Sequence, residues 1–217
     1  MGIDTRDRLV DAARDLFWRK GYGSTSVADV LQAAGVNSGS LYHFFPGKQD
    51  LLVAVLDAYH EGIRELLLEP AWRGVDDPIE RIFALLGAYR AAIVQTDCTY
   101  GCPIGSLALE IHEPDPVVRE RLGANFSAWV RAVEECLDAA APRFAPNLDR
   151  RELTEFVLTT MEGAVMLTRS WRDVACYDRA IRQLRTYFDT LLMQPAPRAR
   201  RSKMKSHAVR KRKQRKS

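Results

Sequence analysis

Long apolar runs are missing from this 217-residue chain: the longest unbroken one, Leu51 to Leu56, is far short of the roughly 20 residues a membrane-spanning helix needs. No membrane partner is expected. Cysteine is scarce as well, and the four at positions 98, 102, 136 and 176 form no C-x-x-C pair, which argues against a zinc ribbon or a thioredoxin-type site. Free thiols are expected. The four histidines, His43, His60, His112 and His207, are scattered, with no pair at ligand spacing on one helix face, so no metal is expected. G-x-x-x-x-G-K-[ST], G-x-G-x-x-G and G-x-S-x-G are all lacking, which removes the phosphate-loop, dinucleotide and hydrolase readings. Neither catalysis nor a cofactor is expected. The opening residues, Met1-Gly2-Ile3-Asp4-Thr5-Arg6-Asp7, lead into no apolar core of a secretory signal, and a cytoplasmic address follows as the expectation.

Acidic residues are lacking from one segment only. Eleven of the 32 Lys and Arg lie between Arg198 and Lys216 without a single Asp or Glu, so residues 1–194 carry 21 basic and 28 acidic residues. The body and the tail have opposite signs. Residues 195–217 bury too little apolar surface to fold and are expected to be a disordered basic tail, which would raise affinity for any DNA through counterion release.

Strand-like alternation is also absent. Ten prolines divide the chain into blocks whose apolar residues recur at three and four, as in Leu122, Phe126, Trp129, Val133 and Leu137, or Ile181, Leu184, Phe188 and Leu191. The fold class is therefore all-α. In the N-terminal third the helices are short and their turns are spelled out by Gly21, Gly35 and Pro46-Gly47. Thr5 is expected to cap the first, on whose inner face stand Leu9, Ala12, Ala13, Leu16 and Phe17. Thr25 or Ser26 is expected to cap the second, with Asp29 in a capping-box relation to Ser26, and Asn37 or Ser38 the third. Helix, short turn, helix is the unit whose second helix enters the major groove.

That second helix presents Ser38, Gly39 and Ser40 from its first turn, with Tyr42 and His43 one turn later placed to reach phosphates. Lys48 follows at the start of the next helix, where its ammonium and the exposed amides are both suited to a phosphate. Residues 4–48 hold six basic and five acidic residues, so charge alone gives this head little grip on DNA. Geometry and dimerisation must supply the rest.

Across residues 5–55, Gly21-Tyr22-x-x-Thr25-Ser26-Val27, Ala33-x-Gly35-Val36 and Gly39-Ser40-Leu41-Tyr42-His43-Phe44-Phe45-Pro46-Gly47-Lys48-x-x-Leu51-Leu52 together resemble the TetR/AcrR repressor family. The resemblance implies a dimeric, ligand-released regulator with three parts: a DNA-binding head at 1–50, an effector-binding and dimerisation region at 51–194, and the tail at 195–217. It also implies that Ser38, Gly39, Ser40, Tyr42, His43 and Lys48 contact a double-stranded operator, with Thr25 and Ser26 on its backbone. The position of Ser38 holds Lys or Pro in many members, so the operator does not carry over.

Beyond residue 48 the helices hold more aromatic and Met side chains than plain packing requires. A pocket for a small hydrophobic effector is expected between them, walled by Tyr89, Phe126, Trp129, Met161 and Val165, and the resemblance implies a homodimer interface from the last two helices. Gly163-Ala164 is expected to admit a partner helix. The most unusual stretch is Gly101-Cys102-Pro103-x-Gly105-x-Leu107-Ala108-x-Glu110, similar to a subset of the family that takes planar hydrophobic molecules. Cys102 at a helix N-terminus is a thiol the helix would acidify, and Cys98 could resolve its oxidised form. Redox sensing and tail-driven nonspecific DNA binding are the competing readings.

Overall fold

A computed structural model describes residues 4–192, and within them every regular element is helical. The basic tail lies outside the described residues. Helix α1 (Thr5–Lys20) starts at Asp4, which makes no side-chain cap; Thr5, expected as the cap, is the first helical residue and only accepts a bond from Arg8 at 3.4 Å. Its buried face is Leu9, Val10, Ala13 and Phe17, so Val10 replaces the half-buried Ala12 and Leu16 at the centre. Gly21 ends the helix at a φ of +87°, which an L side chain would adopt only under strain.

Helix α2 (Val27–Ala34) has the full capping box: the Asp29 amide donates to Ser26 Oγ, and the Ser26 amide donates to the Asp29 carboxylate at 2.8 Å. Gly35, left-handed at φ +64°, closes it. Asn37, not Ser38, caps α3 (Ser38–Phe44) by accepting from the Ser40 amide at 3.0 Å. Helix α4 (Lys48–Ile63) follows the Pro46-Gly47 turn, and Leu41, Phe45, Leu51, Leu52 and Val55 close the core of the head.

After Ile63 the chain does not stop for Pro70. The Glu69 amide donates to the Arg64 carbonyl five residues back, widening residues Arg64–Leu68 into a π-turn before α5 (Glu69–Trp72). Proline has no amide to continue the ordinary ladder, and a widened turn accommodates it. Helices α6 (Pro78–Gln95), α7 (Pro103–Glu110), α8 (Pro116–Ala139), α9 (Arg150–Trp171) and α10 (Val174–Leu192) complete the body.

Two apolar cores result. One joins α1–α4 to α7 and the start of α8, through Cys102, Ile104, Leu107, Val118 and Leu122. The other packs α6, the rest of α8, α9 and α10, with Ile82, Leu85, Val133, Met161, Tyr177 and Phe188 at its centre. Helix α8 serves both. At the junction Asn125, 5 % exposed, donates to the carbonyls of Leu56 and Arg121, each at 2.9 Å, so a buried amide that would otherwise cost energy ties α4 to α8. Exposed ion pairs add α6–α10 clasps: Arg185 meets Glu80 and lies over Phe83, and Arg90 forks onto Asp178.

Candidate nucleic-acid interface and effector cavity

Helix α3 exposes most of the residues singled out in the sequence. Ser38, Gly39, Tyr42 and His43 are exposed on α3, while Leu41 from the same helix is fully buried and fixes its orientation. A Cβ added at Gly39 would meet only Asn37 Oδ1, at an ordinary 3.4 Å, so no packing inside the chain demands glycine there. Ser40 is half-buried and donates its hydroxyl to Asn37 at 3.2 Å, leaving its lone pairs free. Helix α4 begins at Gly47 without a side-chain cap, so its first amides remain available to an anion.

Two residues differ from expectation. Thr25 is 1 % exposed and donates its hydroxyl to the Gly21 carbonyl at 2.7 Å, so its side chain is buried and secures the α1–α2 turn; Ser26, spent on the capping box, still lies at the surface. Lys48 is half-buried. Its ammonium sits 4.2 Å over the Tyr22 ring, where burial lowers its pKa against the opposing pull of Glu110.

Glu110 is the residue that sequence reasoning missed. From the last turn of α7 its carboxylate accepts from the amides of Tyr22 at 2.9 Å and Gly23 at 2.6 Å, in the turn just before α2. At the other end of this segment Trp18 of α1 donates its indole N–H to the Gly101 carbonyl at 2.9 Å. The glycine positions of the run have a steric cause: a Cβ at Gly101 would lie 2.6 Å from Val165 Cγ1, and one at Gly105 would strike the Glu162 carboxylate. Helix α7 therefore packs flush on α9 while gripping the head. No local pattern announces the Glu110 contact, because 87 and 88 residues separate its partners.

Glu110→Gln replaces one accepting oxygen by an N–H₂ that faces a backbone donor. Its expected effect is a loss of about 1–2 kcal/mol in head orientation, discounted for exposure, and a roughly tenfold fall in DNA affinity. Fluorescence anisotropy with labelled operator measures it. Unchanged affinity would mean that the grip does not position the head.

A cavity of about 240 Å³ lies against α7, between α4, the π-turn, α6, α8 and α9. Tyr89, Phe126 and Trp129 line it as expected, joined by Trp18, Tyr59 and Tyr100. Met161 does not: it is fully buried in the second core. Val165 does not line it either, because it presses on Gly101 and borders the adjoining groove instead. Burial raises the phenol pKa of both Tyr59 and Tyr89, so these hydroxyls stay neutral.

Cys102 caps α7 by accepting from the Gly105 amide at 3.5 Å, but the expected acidification is overturned. Burial and the neighbouring Glu162 carboxylate push the thiol pKa up, outweighing the helix amides. Cys98 is buried in the second core while Cys102 belongs to the first, and all four cysteines are free thiols. A buried thiol with its pKa raised is a poor nucleophile, which removes the helix-acidified thiolate from which the redox reading was argued. Among the described residues no group of three or more His, Cys, Asp or Glu is arranged to hold a metal ion, and no helix is long and apolar enough to cross a membrane.

Residues 9–55 match the family described as bacterial regulatory proteins, tetR family, and residues 78–184 match the tetracyclin repressor-like C-terminal domain. An HTH-type transcriptional regulator of Mycobacterium tuberculosis is 32% identical over 83% of this chain and 92% of its own length. The chain belongs to the TetR family. It is a DNA-binding transcriptional regulator with a helix-turn-helix head. The HTH-type transcriptional regulator LmrA of Bacillus subtilis is 28% identical, covering 76% of this chain and 86% of that one. Among solved structures, a TetR transcriptional regulator from Chloroflexus aurantiacus superposes with a TM-score of 0.74 at 30% identity, over 85% of this chain and 94% of its own. Helices α2 and α3 form the helix-turn-helix within the matched residues 9–55.

Proposed function

We propose that the protein is a homodimeric repressor that holds a near-palindromic operator through two α3 helices and is released by a small hydrophobic effector bound in the α7 cavity. The observation that carries this reading is the double attachment of α7, whose first residues wall the cavity and whose last residue grips the turn before α2. An effector that prefers a displaced α7 lowers operator affinity by its preference for that state. On this reading residues 1–50 are the reading head, 51–194 the sensor and dimerisation region, and 195–217 an accessory tail.

Dimerisation draws support from one stripe on α9. Phe156, Thr160, Gly163, Leu167 and Trp171 recur at three and four along it, and Phe156, Leu167 and Trp171 are large, apolar and exposed. Tyr187 of α10, also exposed, packs edge-on against Phe156 at 5.7 Å. Gly163 has open space above it and admits a close partner helix, whereas Ala164, paired with it in the sequence reading, is buried within the protomer.

Selection of genomic fragments by the full chain at near-physiological salt tests the proposal. The expected result is enrichment of a short near-palindrome whose half-sites lie about one DNA turn, roughly 34–36 Å, or a multiple apart. Capture without sequence preference would assign DNA binding to the basic tail.

A further inference from the structure

The cavity's wall is apolar and aromatic except at a few points, and two of those points are unsatisfied. Glu162 Oε1 and Trp129 Nε1 are both buried, and neither has a hydrogen-bond partner among the described residues. Buried polar atoms are nearly always paired, so an unpaired acceptor and an unpaired donor on two residues that line one cavity mark it as a place where a small shift lets a ligand complete the bonding. Glu162 is also the one charged side chain among the described residues that line this cavity. The arginine nearest the same stretch of chain, Arg169, is occupied outside it, donating to the Thr99 carbonyl and to Ser106 Oγ, both at 3.2 Å. No protein cation answers the carboxylate from within.

The surroundings decide which ligand charge fits. Burial raises the Glu162 pKa, only partly opposed by the Cys102 thiol within hydrogen-bonding reach, so a cationic partner is what would hold the carboxylate ionised. The rings of Tyr59, Tyr89 and Phe126 line the same cavity, and aromatic faces attract cations as they repel anions. Access is provided too, because Glu162, Cys102, Phe126 and Leu158 also border an open groove of about 910 Å³ along α9.

Resting on the reading of this cavity as the effector site, we infer that its effector is a compact, flat apolar molecule bearing a protonated amine, with Glu162 as the counter-ion. Glu162 also abuts Gly105 of α7, so the residue that recognises the charge touches the helix that grips the head.

The test is isothermal titration calorimetry of the full chain, near neutral pH, with two probes of equal shape: 2-naphthylmethylamine, which is cationic, and 2-naphthylmethanol, which is neutral. Wild type is expected to bind the amine about tenfold more tightly than the alcohol, and Glu162→Gln to lose about tenfold for the amine while changing the alcohol by less than about twofold, as expected for one charge-assisted hydrogen bond. The wild-type comparison stands even if the variant does not fold. Equal affinities, preference for the alcohol, or a Glu162→Gln loss shared by both probes would overturn the charge assignment and leave the effector cavity intact. Binding of neither probe would overturn the effector reading itself, and this inference with it.

Discussion

Tyr42→Ala is expected to lower operator affinity about a hundredfold while leaving the thermal unfolding transition in place. The phenol is 58% exposed on α3 and makes no hydrogen bond among the described residues, so the folded state gains little from it. One lost hydrogen bond per head is worth about 1–1.5 kcal/mol, and two heads on one operator double it, which corresponds to roughly 30–150-fold. Its neighbour behaves oppositely. Leu41 is fully buried, and Leu41→Ala should cost about 2–5 kcal/mol of stability as well as binding. Anisotropy titrations on the selected operator, beside thermal melts, separate the two effects. Operator binding by Tyr42→Ala within about threefold of wild type would show that α3 is not the reading helix, since a contact of this kind is worth more.

Gly101→Val is expected to destabilise the fold by overpacking. The backbone at Gly101 is not in the left-handed region, so the demand for glycine is purely steric. An added Cβ falls 2.6 Å from Val165 Cγ1 and 2.9 Å from Arg169 Cδ, and Val165 is 3 % exposed and held to few rotamers by its branching. Overpacking of this kind costs about 1–3 kcal/mol, or roughly 2–12 °C in melting temperature for a chain of this size. The displaced segment would also carry away the carbonyl that accepts from Trp18, loosening α1. Gly123→Ala is the control, because an added Cβ there meets nothing within 4 Å on an exposed helix face, and a small stabilisation of about 0.5–1 kcal/mol is expected. Equal melts for the two variants would refute the packing of α7 on α9.

The reading head was legible because its information is local. Capping pairs such as Ser26 with Asp29, and Asn37 with Ser40, lie three residues apart, and helical periodicity put Leu41 inside and Tyr42 outside. Choices left open between adjacent residues, Asn37 or Ser38 and Thr25 or Ser26, were decided by which side chain reaches the free amides once the turns close. Thr25 reads as a polar surface residue, yet a hydrogen bond to Gly21 removes the cost of burying its hydroxyl.

The sensor was legible only in outline. Apolar periodicity assigned α8 and α10, but it does not distinguish a side chain that fills the core, such as Val133, from one that borders empty space, such as Phe126. That difference depends on how several helices diverge, which is set by their mutual packing. The Cys102 thiol shows the same limit for electrostatics. Its place at a helix N-terminus was correctly read, but the sign of its pKa shift was decided by burial and by a carboxylate sixty residues away in the chain.

The residues alone thus determined the helical class, the turns of the head, the cap of α7 and the exposed face of α3, because backbone hydrogen bonding and helix periodicity act within a few residues. Only the tertiary structure decided that Glu110 holds the head, that Gly101 and Gly105 must be small, and that Glu162 and Trp129 face a cavity with their bonding incomplete. Each of these is a meeting of side chains far apart in sequence, and short-range spacing contains no term for it.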